Sequence, residues 1–165
     1  MLTLVMTVLT GFAAQAGDKA GERVLKVFAK APGRPVGAAP RGHLILRSPE
    51  ELTKVMAGLG GNIDKSLERV TKMLKVDKID WKKQMLLIIS GGRQRTGGYR
   101  VELTSLKVKG DELTVRWKLI GPRPGQAVTQ ALSYPALTLL VERYDNTIRF
   151  DPAVARSAVD PKDDR

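Results

Sequence analysis

The chain contains no cysteine and only one histidine, His43, among its 165 residues. Without cysteine it can form neither a disulfide framework nor a thiolate nucleophile, and it lacks the lipid-attachment residue of a bacterial lipoprotein. A Ser-His-Asp arrangement would have to use His43, which stands beside Gly42 with no recognisable nucleophile motif. We therefore expect His43 to be a surface or strand-edge residue, and we expect no catalytic residue, no metal and no cofactor.

Nucleotide binding is excluded by the residues at two critical positions. The run from Gly92 to Tyr99 has part of the glycine spacing of a P-loop, but Gly98 and Tyr99 stand where a P-loop needs Lys and Ser or Thr. Glu102 and Glu142 are candidates for a paired-carboxylate site, although outward strand positions beside arginine explain both without chemistry. The sequence thus predicts a protein that is not an enzyme.

Acidic residues are too few to balance the basic ones. There are 17 Asp and Glu against 28 Lys and Arg, a net charge of +11, yet no block of five basic residues occurs. Trp117 alternates with Arg116 and Lys118, which puts its ring on the opposite, core side of a strand rather than on a stacking surface. We favour a solubilising basic surface over a nucleic-acid site, and a cationic module for anionic polymers stays open.

Charge is entirely missing from the first 16 residues, which end in Ala14-Gln15-Ala16. A short apolar run that stops at an A-x-A sequence is typical of a cleaved secretory signal peptide. Retention of this run as an anchor and a buried first helix are the alternatives. The sequence therefore predicts a periplasmic or secreted protein without a stable membrane anchor after cleavage.

The remaining pattern predicts an α+β fold: a curved, mostly antiparallel sheet, as a partly open barrel or sandwich, with two helices inserted in the N-terminal half. Ser48 to Glu51 is a capping box that begins the first helix, and a second helix begins near Asp64, with Ile63, Leu67, Val70 and Leu74 on one stripe. We predict four segments: a signal peptide (1–16), a first strand with a Pro/Gly-rich linker (17–42), the main domain (43–151) and a flexible tail (152–165).

Strand signals dominate after residue 79. Met85 to Ile89 is continuously apolar, as in a central strand covered on both faces. The apolar alternation slips by one residue at Thr104-Ser105, which predicts a β-bulge, and Gly110-Asp111 predicts a tight hairpin. The first strand is expected within residues 22–30, and a turn at residues 144–147 is expected to reverse the chain into a last strand that ends near Phe150.

Two polar loops interrupt these strands. The first contains Thr96-Gly97-Gly98-Tyr99, and the second runs from Val128 to Pro135. Glycine permits positive φ and close approach of a partner, and tyrosine is enriched at interface anchors. The alternative is that the glycines only make a turn and Tyr99 packs in the core. The residues that we predict to bind a partner are Arg95, Thr96, Gly97, Gly98, Tyr99, Thr129 and Gln130.

These loops, together with Asp80-Trp81 and Gly92, resemble the C-terminal domain family of the protease complex subunit PrcB. The resemblance covers roughly residues 80–151 and is expected to reach back to the helix that begins at Ser48. It implies a non-catalytic, exported protein-interaction domain that associates with or stabilises a protease complex, so the expected partner is a protein such as an exported protease. The alternative function is that of a proteinase inhibitor, which would present the Gly97-Gly98-Tyr99 tip of the same loops to the active site of a protease.

Overall fold

The computed structural model describes residues 21–33, 41–58 and 65–153. The predicted signal peptide, the linker residues 34–40, the predicted boundary of the two helices at residues 59–64 and the tail from residue 154 lie outside the described residues. Within the described ranges the elements, in chain order, are β1 (Arg23–Val24), β2 (Val27–Pro32), β3 (Gly42–Leu46), α1 (Pro49–Gly58), α2 (Ser66–Leu74), β4 (Gln84–Ser90), β5 (Arg100–Lys109), β6 (Glu112–Ile120), β7 (Ala136–Glu142) and β8 (Thr147–Ala153).

The strands form two four-stranded sheets. The first sheet has the order β1-β5-β6-β8 and the second has the order β2-β7-β4-β3. Every pairing except β6 with β8 is antiparallel. The α+β prediction with two helices and mostly antiparallel strands is confirmed, and the sheets form an open sandwich rather than a closed barrel.

The second sheet is the middle layer, which explains the continuous apolar run of β4. Met85, Leu87 and Ile89 pack with the first sheet in one core, whereas Leu86 and Ile88 pack with the helices in another. Successive strand side chains point to opposite faces, so a strand covered on both sides must be apolar at every position. The prediction for this strand is confirmed.

The helices cover the outer face of the second sheet. The Ser48 Oγ accepts a hydrogen bond from the Glu51 amide at 3.2 Å, and the Glu51 carboxylate accepts one from the Arg47 amide, which confirms the predicted cap. In α2, the prediction for Leu67 is wrong. Its side chain is 42% exposed, because the buried stripe consists of Ser66, Val70 and Leu74 at intervals of four. Neither helix that the structure describes is long and apolar enough to cross a bilayer.

The hairpin of β5 and β6 forms as the sequence predicts. The register shifts between Leu103 and Ser105, which makes Thr104 the bulged residue. Gly110 closes the turn with a φ of +57°, a value that glycine adopts without strain. The inward row from β6 includes Trp117, which is 5% exposed and lies in the core between the sheets.

The first and the last strands that the structure describes depart from the sequence predictions. The single predicted first strand is two strands, because buried Leu25 lies where the chain passes from the first sheet to the second. Pro32, predicted to lie in a loop, ends β2 at its pairing with Leu137. The turn at residues 144–147 does not return β8 to β7. Instead β8 crosses to the first sheet, pairs with β6 in parallel and continues to Ala153.

Candidate protein-binding site

Two connections between the sheets meet at one end of the sandwich. Ser90, at the end of β4, pairs with Ala136 at the start of β7, and Arg100, at the start of β5, pairs with Ile120 at the end of β6. The segments 91–99 and 121–135 therefore both cross between the sheets at this end. We call these two segments the loop surface.

Hydrogen bonds join the two predicted loops. Gln94 and Ser133 exchange backbone hydrogen bonds of 2.8 and 3.0 Å as an isolated antiparallel bridge. The Gly97 amide donates to the Thr129 carbonyl at 2.8 Å, and the Ser133 hydroxyl donates to the Thr96 carbonyl at 2.6 Å. These contacts fix the backbone of one loop against the other, so the predicted residues of both loops belong to one surface.

The two central glycines have different roles. Gly98 has a φ of +82°, and a Cβ there would lie 2.9 Å from the Val128 Cγ1 and 3.1 Å from the Pro122 Cβ. A Cβ at Gly97 would meet its nearest atom, in Thr129, at 3.4 Å, an ordinary contact. Gly98 is thus required by conformation and by space, whereas Gly97 contributes its amide to the joined loops.

Tyr99 lies between the two alternatives considered from the sequence. Its side chain is half-buried, and its ring lies against Gly121, where an added Cβ would be 3.2 Å from the Tyr99 Cε1. Arg95, Thr129 and Gln130 are exposed. Tyr99 therefore supports the surface and also forms part of it, and Arg95, Thr129 and Gln130 are the more accessible of the predicted side chains.

The large exposed hydrophobic side chains of the loop surface were not among the predicted site residues. Leu132 is 57% exposed and Tyr134 is 38% exposed, both in the second loop. The available signal was a leucine and a tyrosine on either side of Ser133, among mostly small or polar residues. Because Ser133 is held by the first loop, its two neighbours are held at the surface too.

The titratable side chains considered as catalytic candidates lie outside the loop surface. Hydrogen bonds from Arg100 and Arg23 hold the pKa values of Glu102 and Glu142 below their ordinary value, the wrong direction for a general acid. His43 is exposed on an edge strand, as predicted, and its ring stacks on Phe150 at 3.8 Å; burial lowers its pKa. Within the described ranges no group of three His, Asp or Glu side chains is arranged to hold a metal.

The Asp80-Trp81 motif lies at the opposite end of β4 from the loop surface and has a structural role. The Asp80 carbonyl accepts backbone hydrogen bonds from Lys83 and Gln84, and this turn leads into β4. The Arg143 guanidinium donates to the Trp81 carbonyl at 2.7 Å and ties the turn to the end of β7. The motif therefore positions the middle sheet rather than a ligand.

The segment that contains the loop surface is similar to a known protein family. The model of the PrcB C-terminal family matches residues 85–142, a range that contains the whole loop surface. No curated protein and no solved structure matches the chain. Residues 85–142 therefore carry a PrcB C-terminal family match, which confirms the resemblance that the two loop motifs indicated.

Proposed function

We propose that this protein is a non-catalytic, exported interaction domain that joins a protease complex through the loop surface. The observation that carries the proposal is the set of hydrogen bonds between Gln94, Gly97 and Thr96 of one loop and Ser133 and Thr129 of the other. An interface that is already ordered loses less conformational entropy on binding than two independent loops would.

The composition of the loop surface supports a protein partner. Tyrosine and arginine are enriched among residues that dominate binding energy, and the surface offers Tyr99, Tyr134 and three arginines. Leu132 and Tyr134 add exposed apolar area next to polar backbone groups. The PrcB C-terminal match favours a partner from a protease complex.

An inhibitor role has less support from the geometry. An inhibitor that inserts Gly97-Gly98-Tyr99 into a cleft needs a tip that projects from the body. Gly97 is instead bonded to Thr129, and the Tyr99 ring lies against Gly121. We therefore favour assembly over inhibition, and protease kinetics with the purified protein would reverse this preference if they showed inhibition.

Tagged co-purification from the native host tests the proposal. We compare the wild type with the double variant Leu132→Ser/Tyr134→Ser, and identify the retained proteins by mass spectrometry. A matched control is Val24→Ser/Phe28→Ser, because these side chains are also exposed, at 70% and 42%, and lie away from the loops on β1 and β2. All three proteins are first compared by circular dichroism.

We expect a protease subunit to be retained by the wild type and the Val24/Phe28 control, and lost by the Leu132/Tyr134 variant. Retention of the same subunit by all three proteins would contradict the assignment of the loop surface. Export is tested separately by sequencing the N-terminus of the protein from host cells. A start at Gly17 is expected, and a start at Met1 would contradict cleavage.

A further inference from the structure

The loop surface carries positive charge only. Arg93, Arg95 and Arg123 lie in it and are exposed, whereas residues 91–99 and 121–135 contain no Asp or Glu. Exposed Arg41 is next to this surface, since a Cβ at Gly92 would lie 3.0 Å from the Arg41 Cβ. Four arginines therefore lie at one end of the sandwich.

None of these four arginines is paired with a carboxylate among the residues that the structure describes. Ion pairs within the described ranges instead involve other basic residues, such as Arg23 with Glu142 and Arg116 with Asp151. A guanidinium has five N–H donors in a fixed fork that matches a carboxylate. Arg93, Arg95 and Arg123 thus present donors that no described carboxylate uses and that match carboxylates and phosphates alike, whereas the Arg41 guanidinium lies 5.7 Å from the centre of the Trp117 ring.

Apolar side chains stand among these charges. Leu132 and Tyr134 are the large hydrophobic side chains of the loop surface that are exposed, and neither is buried as a core side chain is. A complementary surface needs an apolar side chain to cover them and acidic groups around it. Nucleic acid supplies the charge, and its bases can stack on Tyr134, but it offers no aliphatic side chain to cover Leu132, the more exposed of the two groups.

We propose that the partner segment that docks on the loop surface is an acidic stretch of polypeptide, with Asp or Glu side chains flanking an apolar or aromatic residue. This inference rests on the proposed function and specifies the chemistry of the partner. The arginines speed and orient the encounter, and the apolar contact with Leu132 and Tyr134 holds the complex. Binding should weaken as salt rises, because the charge contacts lie at an exposed rim.

Selection of peptides from a random library displayed on phage tests this chemistry without knowledge of the natural partner. The bait is the full chain. One variant reverses the loop charges, Arg93→Glu/Arg95→Glu/Arg123→Glu. The control reverses three exposed lysines outside the loop surface, Lys54→Glu/Lys78→Glu/Lys82→Glu, of which Lys54 lies on α1 and the others lie between α2 and β4, and for which no ion pair occurs among the described residues. Both changes alter the net charge equally, and circular dichroism verifies that each variant is folded.

The proposal expects selected peptides that are rich in Asp and Glu around an apolar residue. Their affinity should fall at least about tenfold with the loop reversal and change little with the lysine reversal. Loop-dependent peptides without acidic enrichment would overturn the acidic partner while leaving the proposed function in place. Peptides whose affinity is unchanged by the Leu132→Ser/Tyr134→Ser variant and by the loop-charge variant would overturn both the acidic partner and the proposed function of the loop surface. A DNA duplex that binds as tightly as the peptides, through the same arginines, would also overturn the choice of polypeptide.

Discussion

The loop surface and the outward face of the first sheet are both rich in basic residues but use them differently. On the sheet face, Glu102 contacts Arg100 and Lys118, and Glu22 contacts Lys107 at 2.8 Å. In the loop surface, Arg93, Arg95 and Arg123 have no carboxylate partner among the described residues.

The difference shows how a net charge of +11 can be misleading as a functional signal. Ion pairs offset part of the positive charge on the sheet face, and each such exposed pair adds little to stability. The loop segments contain no acidic residue, so their charge remains available to a ligand. The loop surface and the sheet face therefore differ in whether their basic side chains are paired with carboxylates, and the net charge of the whole chain does not reveal this difference.

The largest expected effect comes from breaking the order of the loop surface at Gly98. Gly98→Val should reduce the free energy of unfolding by about 1–3 kcal/mol, because it combines a positive φ with a steric clash against Val128. Gly97→Ala is the matched control, since its Cβ meets only ordinary contacts. Urea unfolding measures both; equal stabilities for the two variants would contradict the distinct roles of these glycines.

A smaller effect is expected from removing one bond between the loops. Ser133→Ala deletes the hydroxyl that donates to the Thr96 carbonyl and should cost about 0.5–1.5 kcal/mol. Hydrogen exchange at the Gly97 amide should also accelerate, because that amide bonds across the same junction. Ser105→Ala on the sheet face provides the comparison, and an unchanged Gly97 exchange rate in Ser133→Ala would show that the loops are ordered independently.

The ion pairs on the outward face of the first sheet make the stability of the protein depend on pH. The hydrogen bond from Arg100, aided by Lys118, holds the Glu102 pKa below its ordinary value of 4.5. A depressed carboxyl pKa contributes stability above the unfolded value and loses it as pH falls through the folded value. Glu102→Gln should therefore be slightly less stable than wild type at neutral pH and equal to it in acid. Thermal unfolding measures this gap; persistence of the gap in acid would contradict the ion-pair account.

The smallest effect is expected at the sandwich edge, where His43 stacks on Phe150. Burial lowers the His43 pKa below 6.5, so the unfolded chain takes up the proton first as pH falls. Stability is then full above 6.5, declines as pH falls from there to the folded pKa, and is level below it. Thermal unfolding of His43→Gln should lack this step. An identical pH profile for both proteins would show that His43 does not titrate differently on folding.

Local signals predicted the parts of the fold that local physics controls. The Ser48 cap, the β4 run and the Thr104 bulge follow from spacing along the chain. The split at Leu25 and the parallel placement of β8 depend on which of two sheets a strand joins, and residue pattern does not encode that choice. The Leu67 error arose because a rotation of one residue on a helix changes which side is buried.

The same division applies to the candidate site. Composition selected both loops, including Gly97 and Thr129, since glycine and polar residues mark shaped turns. The bridge between Gln94 and Ser133 joins positions distant along the chain, so no local pattern predicts it. A leucine and a tyrosine on either side of Ser133 are visible in the sequence, whereas their exposed fractions come from the structure.

Site-specific photocrosslinking in the native host tests the central claim most directly. A photoreactive amino acid is placed at Arg95 in the first loop or Gln130 in the second, both exposed, with Lys109 and Lys54 as exposed positions elsewhere. If the joined loops form one binding surface, Arg95 and Gln130 will crosslink to the same protein, and Lys109 and Lys54 will not. Crosslinks to that protein from the control positions alone, or none from either loop, would contradict the account.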